Sequence, residues 1–136
     1  MPNAPLAALL LLAGVNVAMA MDAPLPAERL VEQQRTGQGP LLLDVRRADE
    51  FSDGHIAGAL NIPVEQLASR TGALGVPRDR EIVVYCVSGR RASLAQETLQ
   101  ALGYSHVRQL DGSLNAWRLQ HLPLVRESDA DSSHPH

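Results

Sequence analysis

Two short apolar runs constrain the fold more than any other feature, "LLLDV" at residues 41–45 and "EIVVYC" at 81–86. A strand with one face in water alternates apolar and polar residues, whereas a strand buried on both faces is apolar throughout. The β-branched residues of the second run favour a strand over a helix. The chain is therefore expected to build a sheet that is covered on both faces.

Helical patterns alternate with strand patterns along the rest of the chain. The predicted helices cover about 27–36, 65–70, 91–103 and a segment from Ser113, a possible N-cap, to the residue before Pro123, and the further strands cover 59–63 and 106–110. Alternating strands and helices predict a central parallel sheet between two layers of helices. The expected fold class is α/β, a single three-layer α/β/α domain.

The helix predicted at 91–103 has the clearest apolar pattern. Gly103 is placed to follow its last turn as a C-cap. The side chains expected on its apolar face are Leu94, Ala95, Leu99, Ala101 and Leu102. In the last helix, Trp117 falls at a core position and is interpreted as a packing residue.

Composition limits the function classes. The chain has 136 residues, enough for one domain, and its 3% aromatic content leaves aliphatic side chains to supply the core. The net charge of -3 and the scattered basic residues argue against nucleic-acid binding. Five histidines and one cysteine lack the spacing of zinc ligands, so no structural metal site is expected.

Both ends of the chain differ from its centre. Residues 1–20 are mostly apolar, lack charged side chains and end in Ala-Met-Ala at 18–20, which predicts a signal peptide cleaved after Ala20. Its apolar part is too short to span a bilayer. We therefore expect a periplasmic or secreted protein without stable membrane insertion; the alternative is a protein that starts at Met21. The domain is expected at 21–126 and a disordered polar tail at 127–136.

The single cysteine, Cys86, lies at the carboxyl end of a predicted parallel strand, where ligands bind in such sheets. It has no partner for an internal disulfide. Gly89 can adopt a positive φ and turn backbone amides toward the sulfur, and the start of the next helix adds its dipole and two guanidinium groups. Such surroundings favour the reactive thiolate. The alternative is an inert core cysteine.

Three segments resemble the motifs of the rhodanese family. "CVSGRRA" at 86–92 resembles the loop pattern Cys-x-x-Gly-x-Arg followed by a small residue. "LLLDVRRADEFSDGHIAGALNIP" at 41–63 is similar to the second signature, which includes an acidic-aromatic pair. "LDGSLNAWRLQHLPL" at 110–124 resembles the closing Gly-Gly-x-x-Ala-Trp motif, with Asp111-Gly112 where two glycines are usual. The segments occur in the order of the family.

The resemblance implies a single rhodanese-like domain that transfers sulfur. A donor such as thiosulfate would give its outer sulfur to Cys86, and cyanide or a thiol would then accept it from the persulfide. The implied partners are a small-molecule donor and acceptor, with no cofactor. A monomer or weak homodimer is expected.

The resemblance also suggests roles for side chains around the loop. Arg91, the loop arginine of the family, is expected to tie the loop to the scaffold through Asp44. Asp44 could equally cap local backbone amides. Arg90 is expected to attract the sulfonate end of thiosulfate, with Arg46 as a weaker candidate. The predicted substrate-binding residues are Val87, Ser88, Gly89, Arg90, Arg91 and Arg46.

His55 lies in the tight turn "DGHIAGA" and is interpreted as structural support, because persulfide chemistry with a thiolate needs no general base. Three alternative functions make different demands on the sequence: a cysteine phosphatase, a non-catalytic binding module and a thiol redox protein. Phosphatase relatives carry five residues between cysteine and arginine, whereas four separate Cys86 from Arg91. A non-catalytic binding module would not need the cysteine, and a thiol redox protein would need a resolving cysteine.

Overall fold

The computed structural model describes residues 23–127, and within them a parallel sheet of four strands lies between two layers of helices. The strands are β1 (Leu41–Asp44), β2 (Leu60–Asn61), β3 (Ile82–Tyr85) and β4 (Val107–Gln109). Their order is β2-β1-β3-β4, and every neighbouring pair is parallel. The predicted three-layer α/β/α fold is confirmed.

The helices lie close to their predicted positions, with one addition. They are α1 (Ala27–Arg35), α2 (Ala48–Asp53), α3 (Leu67–Arg70), α4 (Arg90–Ala101) and α5 (Ser113–Leu119). Short 3-10 turns, Val64–Gln66 and Thr71–Leu74, flank α3. Helix α2 was not predicted, because its six residues include no buried side chain and so carry no apolar periodicity.

Side chains of β3 alternate between two separate cores, which explains why its sequence is apolar without interruption. Ile82 and Val84 belong to the core that includes Ala95 and Leu99 of α4. Val83 and Tyr85 belong to the opposite core. That core includes Leu30 of α1 and Leu114 and Trp117 of α5. Burying each large aliphatic side chain contributes about 1.5–3 kcal/mol.

The buried stripe of α4 is narrower than predicted. Its buried residues are Ala92, Ala95 and Leu99, whereas Leu94 is 53% exposed. Ala101 and Leu102 are also exposed. Small alanines let the helix approach the sheet closely, and each residue is rotated by about 100° from the last, which turns Leu94 away from the stripe. Gly103, with φ of +97°, follows the last turn as expected.

The start of α5 differs from the prediction. Gly112 precedes the helix with φ of +72°, and Ser113 is its first residue with φ of +51°, so Ser113 is not the N-cap. A Cβ on Gly112 would lie 2.5 Å from the Ala116 Cβ. The motif Gly-Gly-x-x-Ala-Trp, counted back from Ala116 and Trp117, places its two glycines at positions 112 and 113, so the alignment to Asp111 was wrong by one residue. Both positions have the left-handed backbone that favours glycine.

The predicted signal peptide at 1–20 and all but the first residue of the predicted tail at 127–136 lie outside the described residues. Among residues 23–127, no helix combines the length and the apolar character needed to cross a lipid bilayer.

Candidate active site

Cys86 directly follows β3 at the carboxyl end of the sheet, and the loop at 87–89 connects it to α4. Its Sγ accepts hydrogen bonds from the backbone N–H groups of Gly89 at 3.1 Å and Ala92 at 3.4 Å. Gly89 has φ of +114°, the left-handed conformation predicted for it, which turns its N–H back toward the sulfur. Two main-chain donors therefore converge on the Cys86 sulfur.

The start of α5 holds the cysteine loop from its other side. The backbone N–H of Leu114 donates to the carbonyl of Cys86 at 3.1 Å, and that of Asn115 donates to the carbonyl of Val87 at 3.0 Å. The hydroxyl of Ser113 accepts the N–H of Cys86 at 3.2 Å. Val87 thus contributes a main-chain anchor for the loop, and the loop is bonded to both α4 and α5.

A cavity of about 430 Å³ lies in front of the loop. It is lined by Cys86, Ser88, Arg90, Arg91 and Leu94. Cys86 itself is only 1% exposed. Arg90 is exposed, and no carboxylate of the described residues pairs with it. The cavity therefore places two cationic side chains beside a shielded sulfur, an arrangement that attracts small anions.

Arg91 forms a two-point ion pair with Glu50 of α2, not with Asp44 as predicted. Its Nη1 and Nη2 donate to the two carboxylate oxygens at 2.7 and 3.2 Å. Glu50 also accepts the backbone N–H of Arg47 at 3.2 Å, which fixes the carboxylate at the start of α2. The Arg91 guanidinium lowers the pKa of Glu50, and the Glu50 carboxylate raises the pKa of Arg91. Glu50 thus anchors one side of the cavity.

Asp44 instead pairs with Arg46 below the site. Arg46 Nη2 lies 2.7 Å from Asp44 Oδ2, and the backbone N–H of Arg46 donates to Asp44 Oδ1 at 2.9 Å. The predicted contact of Asp44 with a local backbone amide therefore occurs, whereas its ion pair is with Arg46 and not with Arg91. Burial opposes the charge of Arg46, but its hydrogen bond and attraction to Asp44 outweigh this cost and raise the pKa of Arg46. Arg46 is 3% exposed, and its guanidinium also donates to the Gly54 carbonyl. The prediction that Arg46 binds the sulfonate end of thiosulfate is therefore wrong.

Tyr85 and His55 complete the support of this region. Burial raises the pKa of Tyr85, whose neutral hydroxyl accepts the N–H of Ile56 at 3.1 Å. One ring nitrogen of His55 lies 2.8 Å from the Phe51 carbonyl, and its ring stacks on Phe51 with centroids 3.6 Å apart. The backbone of His55 also exchanges two hydrogen bonds with Val125. His55 holds a turn and is absent from the cavity lining.

Sequence reasoning missed two residues of the site. Glu50 belongs to the acidic-aromatic pair of the second signature. The motif draws attention to this position but does not predict that Glu50 pairs with Arg91. Ser113 was interpreted only as a helix cap, although its hydroxyl faces the cysteine. Within residues 23–127, no group of three or more His, Cys, Asp or Glu side chains is placed to hold a metal ion.

The sequence matches the family described as Rhodanese-like domain over residues 27–120. The match includes all four strands, the Cys86 loop and α5. The chain belongs to the rhodanese-like domain family. The family resemblance of the three motifs is thereby confirmed.

Sulfurtransferases are among the relatives of this chain. A sulfurtransferase of Allochromatium vinosum is 34% identical over 99 residues, which are 73% of this chain and 91% of that protein. The thiosulfate sulfurtransferase PspE of Escherichia coli K12 is 33% identical over 70 residues, 52% of this chain and 67% of the relative. The structure of the human single domain sulfurtransferase TSTD1 is similar with a TM-score of 0.64 at 28% identity, covering 71% of this chain and 96% of that one. This rhodanese-like chain is thus related to single-domain sulfurtransferases.

Proposed function

We propose that this protein is a thiosulfate sulfurtransferase that moves a sulfane sulfur from thiosulfate, or a related donor, to cyanide or a thiol through a persulfide on Cys86. The observation that carries the proposal is the convergence of the Gly89 and Ala92 N–H groups on the Cys86 sulfur, at 3.1 and 3.4 Å, beside a cavity lined by Arg90 and Arg91. These donors suit a sulfur that carries negative charge.

In the first half-reaction, the Cys86 thiolate attacks the outer sulfur of thiosulfate. A new S–S bond forms, the S–S bond within thiosulfate breaks, and sulfite leaves with the electron pair of the broken bond. The exposed guanidinium of Arg90 is placed to attract the anionic sulfonate end of the donor. Arg91, held by Glu50, supplies a second positive charge in a fixed position.

In the second half-reaction, the acceptor attacks the outer sulfur of the persulfide. With cyanide, a carbon–sulfur bond forms, the persulfide S–S bond breaks, and thiocyanate leaves while Cys86 returns to the thiolate. Because a hydrogen bond to an anion is stronger than one to a neutral group, the loop amides favour the thiolate form of Cys86 before the attack and assist the return of charge to the sulfur in this second half-reaction.

The proposal is tested by mass spectrometry of the purified protein. After incubation with thiosulfate, the chain should gain about 32 Da, one sulfur atom, and cyanide should remove it. Cys86→Ser should gain nothing. Hydrolysis of p-nitrophenyl phosphate without any mass gain from thiosulfate would instead indicate a cysteine phosphatase.

The role of Arg90 has its own test. Arg90→Ala should raise the KM for thiosulfate about tenfold with a smaller change in kcat, because one charge-assisted contact to the donor is lost. Arg29 of α1 is a matched control, since it is also exposed but lies in the helix that packs on the opposite core. An Arg29→Ala variant with the same increase in KM would show that only the net charge matters.

We further propose that the protein is exported. The apolar, uncharged segment at residues 1–20 supports this. Fractionation of expressing cells and N-terminal sequencing test it: the expected product is exported and begins at Met21, and a chain retained inside the cell with its first twenty residues intact would contradict the proposal.

A further inference from the structure

Ser113 is a completely buried polar residue in an unusual backbone conformation. Its φ of +51° lies in the left-handed region that favours glycine, and its exposed fraction is 0%. At the preceding position, only glycine fits, because a Cβ would collide with Ala116. At position 113, glycine would relieve the backbone strain, yet a serine stands there. Strained residues next to a reactive group point to a use for the side chain.

The hydroxyl of Ser113 lies between two atoms of the same cysteine. Its oxygen accepts the backbone N–H of Cys86 at 3.2 Å, and it lies 4.0 Å from Cys86 Sγ, a separation that a contact to sulfur can span because sulfur is large and polarisable. Within the described residues, the sulfur is the other polar partner of this hydroxyl. A thiolate carries no proton, so in that state only the Ser113 hydroxyl can be the donor.

We propose that Ser113 is a hydrogen-bond donor to the Cys86 sulfur that stabilises the thiolate as a leaving group when sulfur is passed to the acceptor. The inference rests on the proposed sulfur transfer. An acceptor thiolate attacks the outer sulfur of the persulfide, a new S–S bond forms, and the bond between the outer sulfur and Sγ breaks. Its electron pair moves to Sγ, beside the Ser113 hydroxyl and the N–H groups of Gly89 and Ala92.

This role affects the two half-reactions differently. In loading, Cys86 takes sulfur from the donor, and in discharge the persulfide passes it to the acceptor. A donor to Sγ helps charge to return to the sulfur during discharge, but it makes the same sulfur a slightly weaker nucleophile during loading. Removing the hydroxyl should therefore slow discharge. The rate of loading should stay within about twofold of the wild-type rate when both are measured at about pH 9, where free cysteine is mostly ionised. A side chain that only positions the loop would slow both steps together.

Three variants of the purified chain test the proposal. Ser113→Ala and Ser113→Gly both lack the hydroxyl, but glycine also relieves the left-handed backbone, so the glycine variant should be the more thermostable of the two. Both should slow single-turnover transfer from the Cys86 persulfide to a small thiol by about tenfold. Ser113→Thr keeps the hydroxyl but adds a methyl group at a buried position with left-handed backbone, so its discharge rate is judged relative to its own loading rate, and this ratio should remain within about threefold of that of wild type. Discharge at the wild-type rate in the alanine and glycine variants would overturn the proposal, as would loading and discharge that fall together.

A second readout does not depend on sulfur transfer. The rate of Cys86 alkylation by iodoacetamide should begin to rise at higher pH in Ser113→Ala and Ser113→Gly than in wild type, because a donor to the thiolate is missing. The charged groups that line the same cavity, Arg90 and Arg91, are unchanged in all variants. If wild type gains no sulfur from thiosulfate, the proposed function fails, and the alkylation profiles alone decide the role of Ser113. Identical profiles would refute it.

Discussion

Two arginine–carboxylate pairs lie near the cysteine loop, and they differ chiefly in burial. The Asp44–Arg46 side chains are 0% and 3% exposed, whereas those of Glu50 and Arg91 are 21% and 31% exposed. Their shortest N–O distances are equal at 2.7 Å. The buried pair joins residues two apart in the chain, and the other joins residues 41 apart, in α2 and α4.

The difference shows that burial decides whether an arginine stabilises the fold or remains available to a ligand. A buried pair is costly to desolvate, and once formed neither partner can lose the other without leaving an isolated charge. Arg46 is therefore committed to the fold. Arg91 is held by Glu50 but still lines the cavity, so its charge acts on an incoming anion. The comparison predicts large losses of stability from one pair and small losses from the other.

The largest effect is expected from Arg46→Met. The variant leaves the Asp44 carboxylate buried without its partner and should reduce the free energy of unfolding by about 3–5 kcal/mol, measured by urea denaturation. The double variant Asp44→Asn with Arg46→Met has no unpaired charge and should recover much of the loss, because an amide oxygen can still accept the N–H at position 46. A loss below about 1 kcal/mol in the single variant would contradict the contrast between the pairs.

Sequence patterns predicted the parts of this structure that depend on short-range signals. The apolar run before Cys86, the glycine at 89 and the helix that follows are contiguous, so strand, turn and helix start could be placed to within a few residues. Glycine at 89 was expected to have a positive φ because the loop must turn amides toward one atom, and it does. Local order of this kind fixes the position of the candidate nucleophile.

The pairing of charges could not be predicted in the same way. Asp44 is close to Arg46 in the sequence and was expected to lie near Arg91 in the folded sheet. Sequence spacing alone does not tell which of the two arginines pairs with Asp44 and is buried. Helix α2 brings Glu50 to Arg91, but this helix has no buried side chain. Its sequence therefore lacks the apolar periodicity by which a helix is predicted. Leu94 was assigned to the core because it is apolar, although the narrow alanine stripe of α4 leaves it in the cavity wall. These outcomes depend on tertiary packing.

A smaller effect is expected for the pair at the cavity. Glu50→Gln and Arg91→Gln should each reduce the free energy of unfolding by about 1 kcal/mol, and a double-mutant cycle should give a coupling of similar size, because the pair is two-pointed but partly exposed. Asp49→Asn is a matched control that removes the neighbouring carboxylate, whose ion pair with Arg47 is largely exposed, with side chains 72% and 67% exposed. It should change stability less than Glu50→Gln does. Equal losses in the two variants would indicate a general charge effect and no specific pair.

The smallest effect is the pH dependence of the difference in unfolding free energy between wild type and Glu50→Gln. Arg91 holds the pKa of Glu50 below its ordinary value of 4.5, so the folded state binds a proton at Glu50 less readily than the unfolded state does. The stabilisation from this carboxylate is therefore fully present above about pH 4.5 and is lost as the pH falls through the lower folded-state pKa. The gap in unfolding free energy between wild type and Glu50→Gln should be constant near neutral pH and shrink progressively in acid, measured by urea denaturation at a series of pH values. A gap that widened in acid would mean that the charged form of Glu50 is disfavoured in the folded protein, and the two-point pair with Arg91 could not then be the source of its stability.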